Sequence, residues 1–397
     1  MLLTGPLGES RPYGFSVESL IKQCIPYSHK SVEDSLVTIN SPTKINMMNT
    51  SQKLIALLSG AALLSISSLA AQTATTGPVG YVTAEIPAHA GGSSTLTLVN
   101  LSLLPTSDFV GSVATISGTQ LNLESALLAA GQFDVTDANG LPMYHVEFTS
   151  GVDSEGLTVG IASNATDSIT LSEDVSSILT AGVTIIVRKF STLADVFGAD
   201  NSTYSLGSAG NANDADVVYL EDNSGSIARY YYQVAPPFAG GSGWRIAGDT
   251  GTDQSNARIN WNAILISRNG SLARSAIDVV NSGTVKLGKG VSTISTGLNL
   301  VGYQFPVDST LNTLGFDTSD LQTGSSANDS DVVYVLNAGV LTRYYYQTAP
   351  PFAGGTGWRV AGDTGTDQSG APVAPNAAVM VLRRGANSIY MSSAQPF

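Results

Sequence analysis

Cysteine is nearly missing from this 397-residue chain: the single one is Cys24. A lone thiol makes no intrachain disulfide and no cysteine-ligated zinc site, so the fold must hold without either. Histidine is almost as rare, with only His29, His89 and His145, and no Ser-His-Asp set can be assembled around them. Charge is sparse at 12% of residues and one-sided, 31 acidic against 18 basic, for a net charge of -13. Such a chain repels a phosphate backbone, which argues against nucleic acid as a partner. What is plentiful is glycine, 41 residues, beside a 43% hydrophobic fraction. That composition suits short strands and tight turns and is too apolar for general disorder.

From Met47 the chain reads MMNTSQKLIALLSGAALLSISSLAAQ: Lys53, an apolar stretch from Leu54, then the small residues Ser68 and Ala70 ahead of a cleavage point after Ala70 or Ala71. This is the layout of a secretory signal peptide over 47–71, with a mature chain from about Gln72. The stretch is short and Ser-rich for a membrane anchor. The expected contact with a membrane is therefore only during export, and the expected location periplasmic, cell-surface or extracellular. Residues 1–46 stand ahead of a complete signal and read as a disordered upstream extension before the true start. Five of the basic and four of the acidic residues precede residue 72, so the mature chain carries -14 and no cysteine. Its lysines are Lys189, Lys286 and Lys289.

The segment RYYYQVAPPFAGGSGWRIAGDTGTDQS from Arg229 returns as RYYYQTAPPFAGGTGWRVAGDTGTDQS from Arg343, identical at 24 of 27 positions. Weaker matches extend outward: DADVVYLEDNSGS from Asp214 with DSDVVYVLNAGV from Asp329, and STLADVFG from Ser191 with STLNTLGF from Ser309. These imply two copies of one module, the first interrupted by an insertion from about Ser112 to Phe190.

Short runs of Val, Ile, Thr and Tyr between Gly, Asn and Asp predict strands throughout. Tyr144, Val146 and Phe148 alternate with His145 and Glu147, which predicts one buried and one wet face. Alternation fails in DVVYV from Asp331, VTIIV from Val183 and AVMVL from Ala378, which predicts burial on both faces. Helix is expected only in LNLESALLAAG, Leu121 to a Gly131 cap, and in the Ser/Thr-capped turns before Gly198 and Gly315. The expected architecture is mainly all-β: two tandem antiparallel β-sandwich or barrel-like modules, 79–280 and 283–397, the first with an inserted small β domain over about 112–190.

Three segments carry a resemblance: VGYVT from Val79, GLNLVGYQFPVDSTLNTLG from Gly297, and NAAVMVLRRG from Asn376 after a tyrosine-rich strand and a Gly-Trp pair. Together they resemble a paralogous family of exported β-rich proteins of Verrucomicrobia-type bacteria. The chain departs from it with Leu298 where Trp is frequent and with no Gly-Phe-Phe in the last strand. The resemblance implies export and a β architecture, and lends no catalytic residues.

The repeated segment holds the candidate chemistry. Asp249-Thr250-Gly251-Thr252 and Asp363-Thr364-Gly365-Thr366 repeat the tetrapeptide of aspartic proteases, whose two carboxylates share one proton. Here Ala-Gly precedes each Asp in a Gly-rich loop instead of a buried apolar strand, which favours a turn in which Asp caps its own backbone. Asp249 with Asp253, and Asp363 with Asp367, have a spacing that admits calcium; solvated turn aspartates are the alternative. No other cofactor is implied. Tyr230, Tyr231 and Tyr232, like Tyr344, Tyr345 and Tyr346, place rings on both faces of a strand. With Phe238 and Trp244, or Phe352 and Trp358, and with Arg229 and Arg343 beside them, they would form an aromatic platform for a sugar ring or another protein; packing of sheet against loop is the alternative.

The expected protein is non-enzymatic: an exported cell-surface or extracellular structural or adhesive component acting through its repeated Tyr/Trp/Asp loops, with two copies raising avidity. Its expected partners are an extracellular polysaccharide or another surface protein, a second copy of itself included. The alternatives are a carbohydrate-binding module and an aspartic-type hydrolase.

Overall fold

A computed structural model describes residues 78–397 apart from 126–127, 222–225, 235–239, 261–262, 338 and 349–353. The signal segment, the upstream extension, Cys24 and His29, and Phe238 and Phe352, lie outside the described residues. The fold is almost entirely β.

The first half of the chain begins with β1 (Val79–Ile86) and β2 (Thr95–Asn100). Six strands follow: β3 (Ser107–Ser117), β4 (Gln120–Leu123), β5 (Tyr144–Phe148), β6 (Thr158–Asn164), β7 (Ser168–Leu171) and β8 (Thr184–Lys189). After the short helix α1 (Leu193–Phe197) come β9 (Val217–Glu221), β10 (Ile227–Gln233), β11 (Gly243–Ile246), β12 (Ala263–Arg268) and β13 (Ile277–Thr284). The second half holds β14 (Gly290–Ile294), β15 (Gly297–Gly302), β16 (Ser309–Thr310), β17 (Val332–Asn337), β18 (Val340–Gln347), β19 (Gly357–Val360), β20 (Pro372–Val373), β21 (Ala378–Arg383) and β22 (Ile389–Ser393).

Each half builds one five-stranded antiparallel sheet in the same order, β11-β10-β9-β12-β2 and β19-β18-β17-β21-β15. The two sheets, one from each tandem half, pack face to face. Strand alternation explains how. Val217 and Tyr219 of β9, and Val332 and Tyr334 of β17, point into one shared core together with Leu98, Leu265, Leu300 and Met380. The intervening Val218 and Leu220, and Val333 and Val335, point outward into two separate cores. Both faces of each central strand are thus buried, which is why DVVYV and AVMVL read as unbroken apolar runs. VTIIV differs: Val183, Ile185 and Val187 are buried while Thr184 and Ile186 are only partly covered.

The outer face of each sheet is roofed by a two-stranded ribbon formed from the first and last strands of its own half, β1 with β13 and β14 with β22. Ala84, Ile86 and Val279 of one ribbon, and Ile294, Ile389 and Met391 of the other, complete the outer cores. α1 closes the first, with Leu193 and Phe197 buried. Thr192 caps it reciprocally with Asp195, and Gly198 ends it at φ 86°, as the capped-turn pattern predicts. Polar contacts also cross between the halves: Glu221 accepts from the Leu300 N–H at 2.5 Å and the Asn100 N–H donates to Asn376 O at 2.9 Å.

Strands β3 to β8 close into a six-stranded barrel in the order β3-β4-β7-β6-β5-β8. It begins at Ser107, ahead of the Ser112 boundary read from sequence, because β3 continues upstream to pair with β8. Register shifts in β3 and β6 supply the local twist that closure needs. Its interior is packed with Val113, Leu121, Val146, Phe148, Ile169 and Ile185. The helix expected from Leu121 is not formed at its start: Gln120–Leu123 is β4, whose alternating Leu121 and Leu123 point into that interior.

Candidate functional site

The repeated segments form two equivalent hairpins, β10–β11 and β18–β19. In the first, Tyr231 pairs with Arg245, Tyr232 with Trp244 and Gln233 with Gly243; in the second, Tyr345, Tyr346 and Gln347 meet Arg359, Trp358 and Gly357. This register turns the indoles inward. Trp244 and Trp358 are 0% and 2% exposed, in the two outer cores, and Trp244 Nε1 donates to Gly198 O at 2.9 Å. Tyr230 and Tyr344 share those cores, while Tyr231 and Tyr345 lie in the shared one. Tyr232 and Tyr346 are half-buried, edge-on to their tryptophans at 5.7 and 5.6 Å. Arg229 and Arg343 are half-buried as well. Stacking on a sugar needs exposed, coplanar rings, so the expected platform is not formed by these tyrosines and tryptophans. An inward-facing Trp at a hairpin register position is what places them inside.

The loops are organised by two residues that pattern reading passed over, a buried arginine and a buried glutamine. Arg245, 2% exposed, sends Nε to Thr250 O, Nη1 to Trp244 O and Nη2 to Gly240 O at 2.6 Å. Arg359, 0% exposed, repeats this with Thr364 O, Trp358 O and Gly354 O. Gln233 Nε2 donates to Gly241 O and Gln347 Nε2 to Gly355 O, both at 2.9 Å, and each glutamine carbonyl accepts the hydroxyl of Tyr231 or Tyr345. A planar guanidinium with five donors suits such a ring of carbonyls. The signal for it was the survival of Gln, Trp and Arg together in both copies.

The aspartates serve the same loops. Asp249 Oδ1 accepts from the Gly251 N–H at 2.7 Å, and Asp363 Oδ1 from the Gly365 N–H at 2.8 Å. These backbone bonds hold both carboxyls below the usual range. A proton-sharing dyad requires the reverse for one member, whereas each of these carboxylates accepts from the backbone of its own turn. Asp253 and Asp367 face Arg245 and Arg359 at 3.5 and 3.2 Å and accept from Ser255 and Ser369. Their oxygens are thus turned to the arginines and to the turn. Among the described residues no group of three or more His, Cys, Asp or Glu side chains is placed to hold a metal ion.

A second cluster lies where the barrel meets the sandwich. His145 and Glu147 occupy the outward face of β5, expected to be wet, yet they are 8% and 4% exposed. The sandwich covers them. Glu147 is gripped on one oxygen by Lys286, from the connection between β13 and β14, and on the other by Arg188 of β8 at 3.3 Å. Arg188 also donates to Pro105 O. Burial pushes the Glu147 carboxyl up, but Lys286 and Arg188 pull harder, and the net shift is downward. His145 packs on Phe190 at 4.4 Å, and Arg258 covers the same Phe190 ring at 4.5 Å. Burial lowers the His145 pKa to about 3, so the ring is neutral, and its Nδ1 has no partner.

A cavity of about 30 Å³ opens beside these groups, lined among others by Thr158, Ser191 and Gln304. That volume takes roughly one or two waters, too little for a sugar or a peptide. The arrangement acts as an electrostatic clamp between barrel and sandwich. No protein-family model, no curated protein and no solved structure matches this chain.

Proposed function

We propose that this chain is an exported, non-catalytic structural component of a cell surface or extracellular layer, a rigid β scaffold built without disulfides. One observation carries the reading: the side chains with chemical capacity are turned onto the protein's own frame. Arg245, Arg359, Gln233 and Gln347 bind loop carbonyls, and Glu147, Lys286 and Arg188 bind one another. Export is supported by the signal layout of residues 47–71. Its adhesive contacts, to polysaccharide or to protein, would then be made by outer surfaces and not by the buried rings of the repeats.

The test is fractionation of producing cells, N-terminal sequencing of the recovered protein, and assay of a deletion strain for surface integrity and attachment. The expected result is protein outside the cytoplasm, beginning near Gln72, with weakened attachment when it is deleted. A mature form beginning before Met47, or turnover of a peptide or glycan substrate that survives stringent purification, would overturn the reading.

A further inference from the structure

The two sheets meet through almost the same face. Half 1 presents Val217, Tyr219 and Tyr231; half 2 presents Val332, Tyr334 and Tyr345 at the same strand positions. A contact of this kind is close to isologous, since the face offered by one half is nearly the face it accepts. Each half has its own outer core and its own ribbon, and beside the connection Val291 of β14 also enters the barrel core and donates its N–H to Gly156 O at 3.2 Å. A single covalent connection joins them, the five residues 285–289 between Thr284 and Gly290. It is short and held: Lys286 is clamped to Glu147, and Gly288 sits at φ +80° with Glu155 so near that an added Cβ would meet its Oε1 at 2.7 Å.

We propose that this inner face is a self-recognition surface whose second partner is another copy of this chain. Opening residues 285–289 lets half 1 of one chain pack on half 2 of the next, re-forming between chains the Glu221–Leu300 and Asn100–Asn376 contacts made within one. Because the same core is buried either way, the balance rests on the connection and on concentration, and a short constrained hinge favours exchange. Reciprocal exchange gives a closed dimer, and sequential exchange an open row. The proposal rests on the structural role argued above and names the partner for it.

The experiment uses the whole exported chain, unfolded and refolded over about a hundredfold range of concentration, with molecular mass read by light scattering after size exclusion. Exchange predicts a species of twice the monomer mass that grows with refolding concentration and persists on dilution, since dissociation requires the sheets to part. Two differently labelled batches refolded together would give mixed dimers. An insertion of five Gly/Ser residues after Leu287 should lower the dimer fraction about tenfold while leaving the monomer's circular dichroism unchanged. Monomer at every concentration overturns the proposal. So does a dimer that falls apart on dilution or ignores the insertion, because that would be a contact between intact monomers. An exported protein that stays monomeric removes exchange alone and leaves the structural reading standing.

Discussion

Glu147 is the residue on which the junction of barrel and sandwich depends, because two buried cations converge on one carboxylate. Removing one partner of a buried ion pair costs about 3 to 5 kcal/mol, since the remaining charge stays desolvated. Lys286→Met leaves Glu147 with Arg188, whereas Glu147→Leu strands both cations, so denaturant unfolding should rank Glu147→Leu as the more damaging. Equal losses would contradict the shared grip. His145 adds a pH dependence. Its folded pKa of about 3 lies below the ordinary 6.5, so the unfolded chain binds the extra proton. Stability from this group is therefore present above 6.5 and lost as pH falls toward 3, by up to about 1.4 kcal/mol per pH unit. Glu147 facing it raises that pKa while Arg188, Lys286 and Arg258 lower it further. His145→Gln should flatten the stability profile between pH 6 and about 4; an unchanged slope would mean that the ring is not the titrating group. Sequence could not place these residues, because period-2 alternation separates two faces of β5 without saying what covers either one.

At the scale of elements, the two hairpin loops are predicted to fail when their arginine is changed. Arg359→Met removes donors from several buried carbonyls, each worth about 1 kcal/mol or more. Arg359→Lys keeps the charge yet presents a point in place of a fork. Both variants should be cleaved within 361–371, after β19, by a protease that leaves the parent intact, with Arg359→Lys giving little rescue; full protection in Arg359→Lys would show that charge alone suffices. The sequence made much of the elements legible. The central strands announced themselves as apolar runs, and a Ser/Thr-capped turn before Gly198 marked α1. The stretch from Leu121 was misread because Leu, Glu and Ala favour helix locally, whereas Leu121 and Leu123 gain a barrel interior by alternating. The aromatic loops left two readings open for a related reason: their near-identity marked them as important, but structural necessity and ligand recognition leave the same trace in one sequence.

At the scale of the molecule, duplication was readable and its geometry was not. Two similar modules in series fit beads on a string as well as two leaves of one sandwich, and only the packing of Tyr219 against the opposite sheet distinguishes them. The buried indoles give an optical check. In a Trp261→Phe background, emission should come from Trp244 and Trp358 alone, blue-shifted, shielded from acrylamide and indifferent to soluble polysaccharides until the protein unfolds. Strong quenching in the native state would put the rings at the surface and revive the platform.

The ribbons have a consequence for a scaffold under tension. Val79 and Thr284, where force would enter and leave the first half, are direct partners in the β1–β13 ladder, and Gly290 and Ser393 stand in the same relation in the second. A pull along the chain therefore meets one ladder rung at a time, and each ribbon opens like a zip under modest force. Thr284 also exchanges backbone hydrogen bonds with Leu104, and Lys286 holds Glu147, so the barrel shares the load at that point. The molecule would thus lengthen in small early steps, each uncovering the outer core that its ribbon roofs while the shared inner core stays closed.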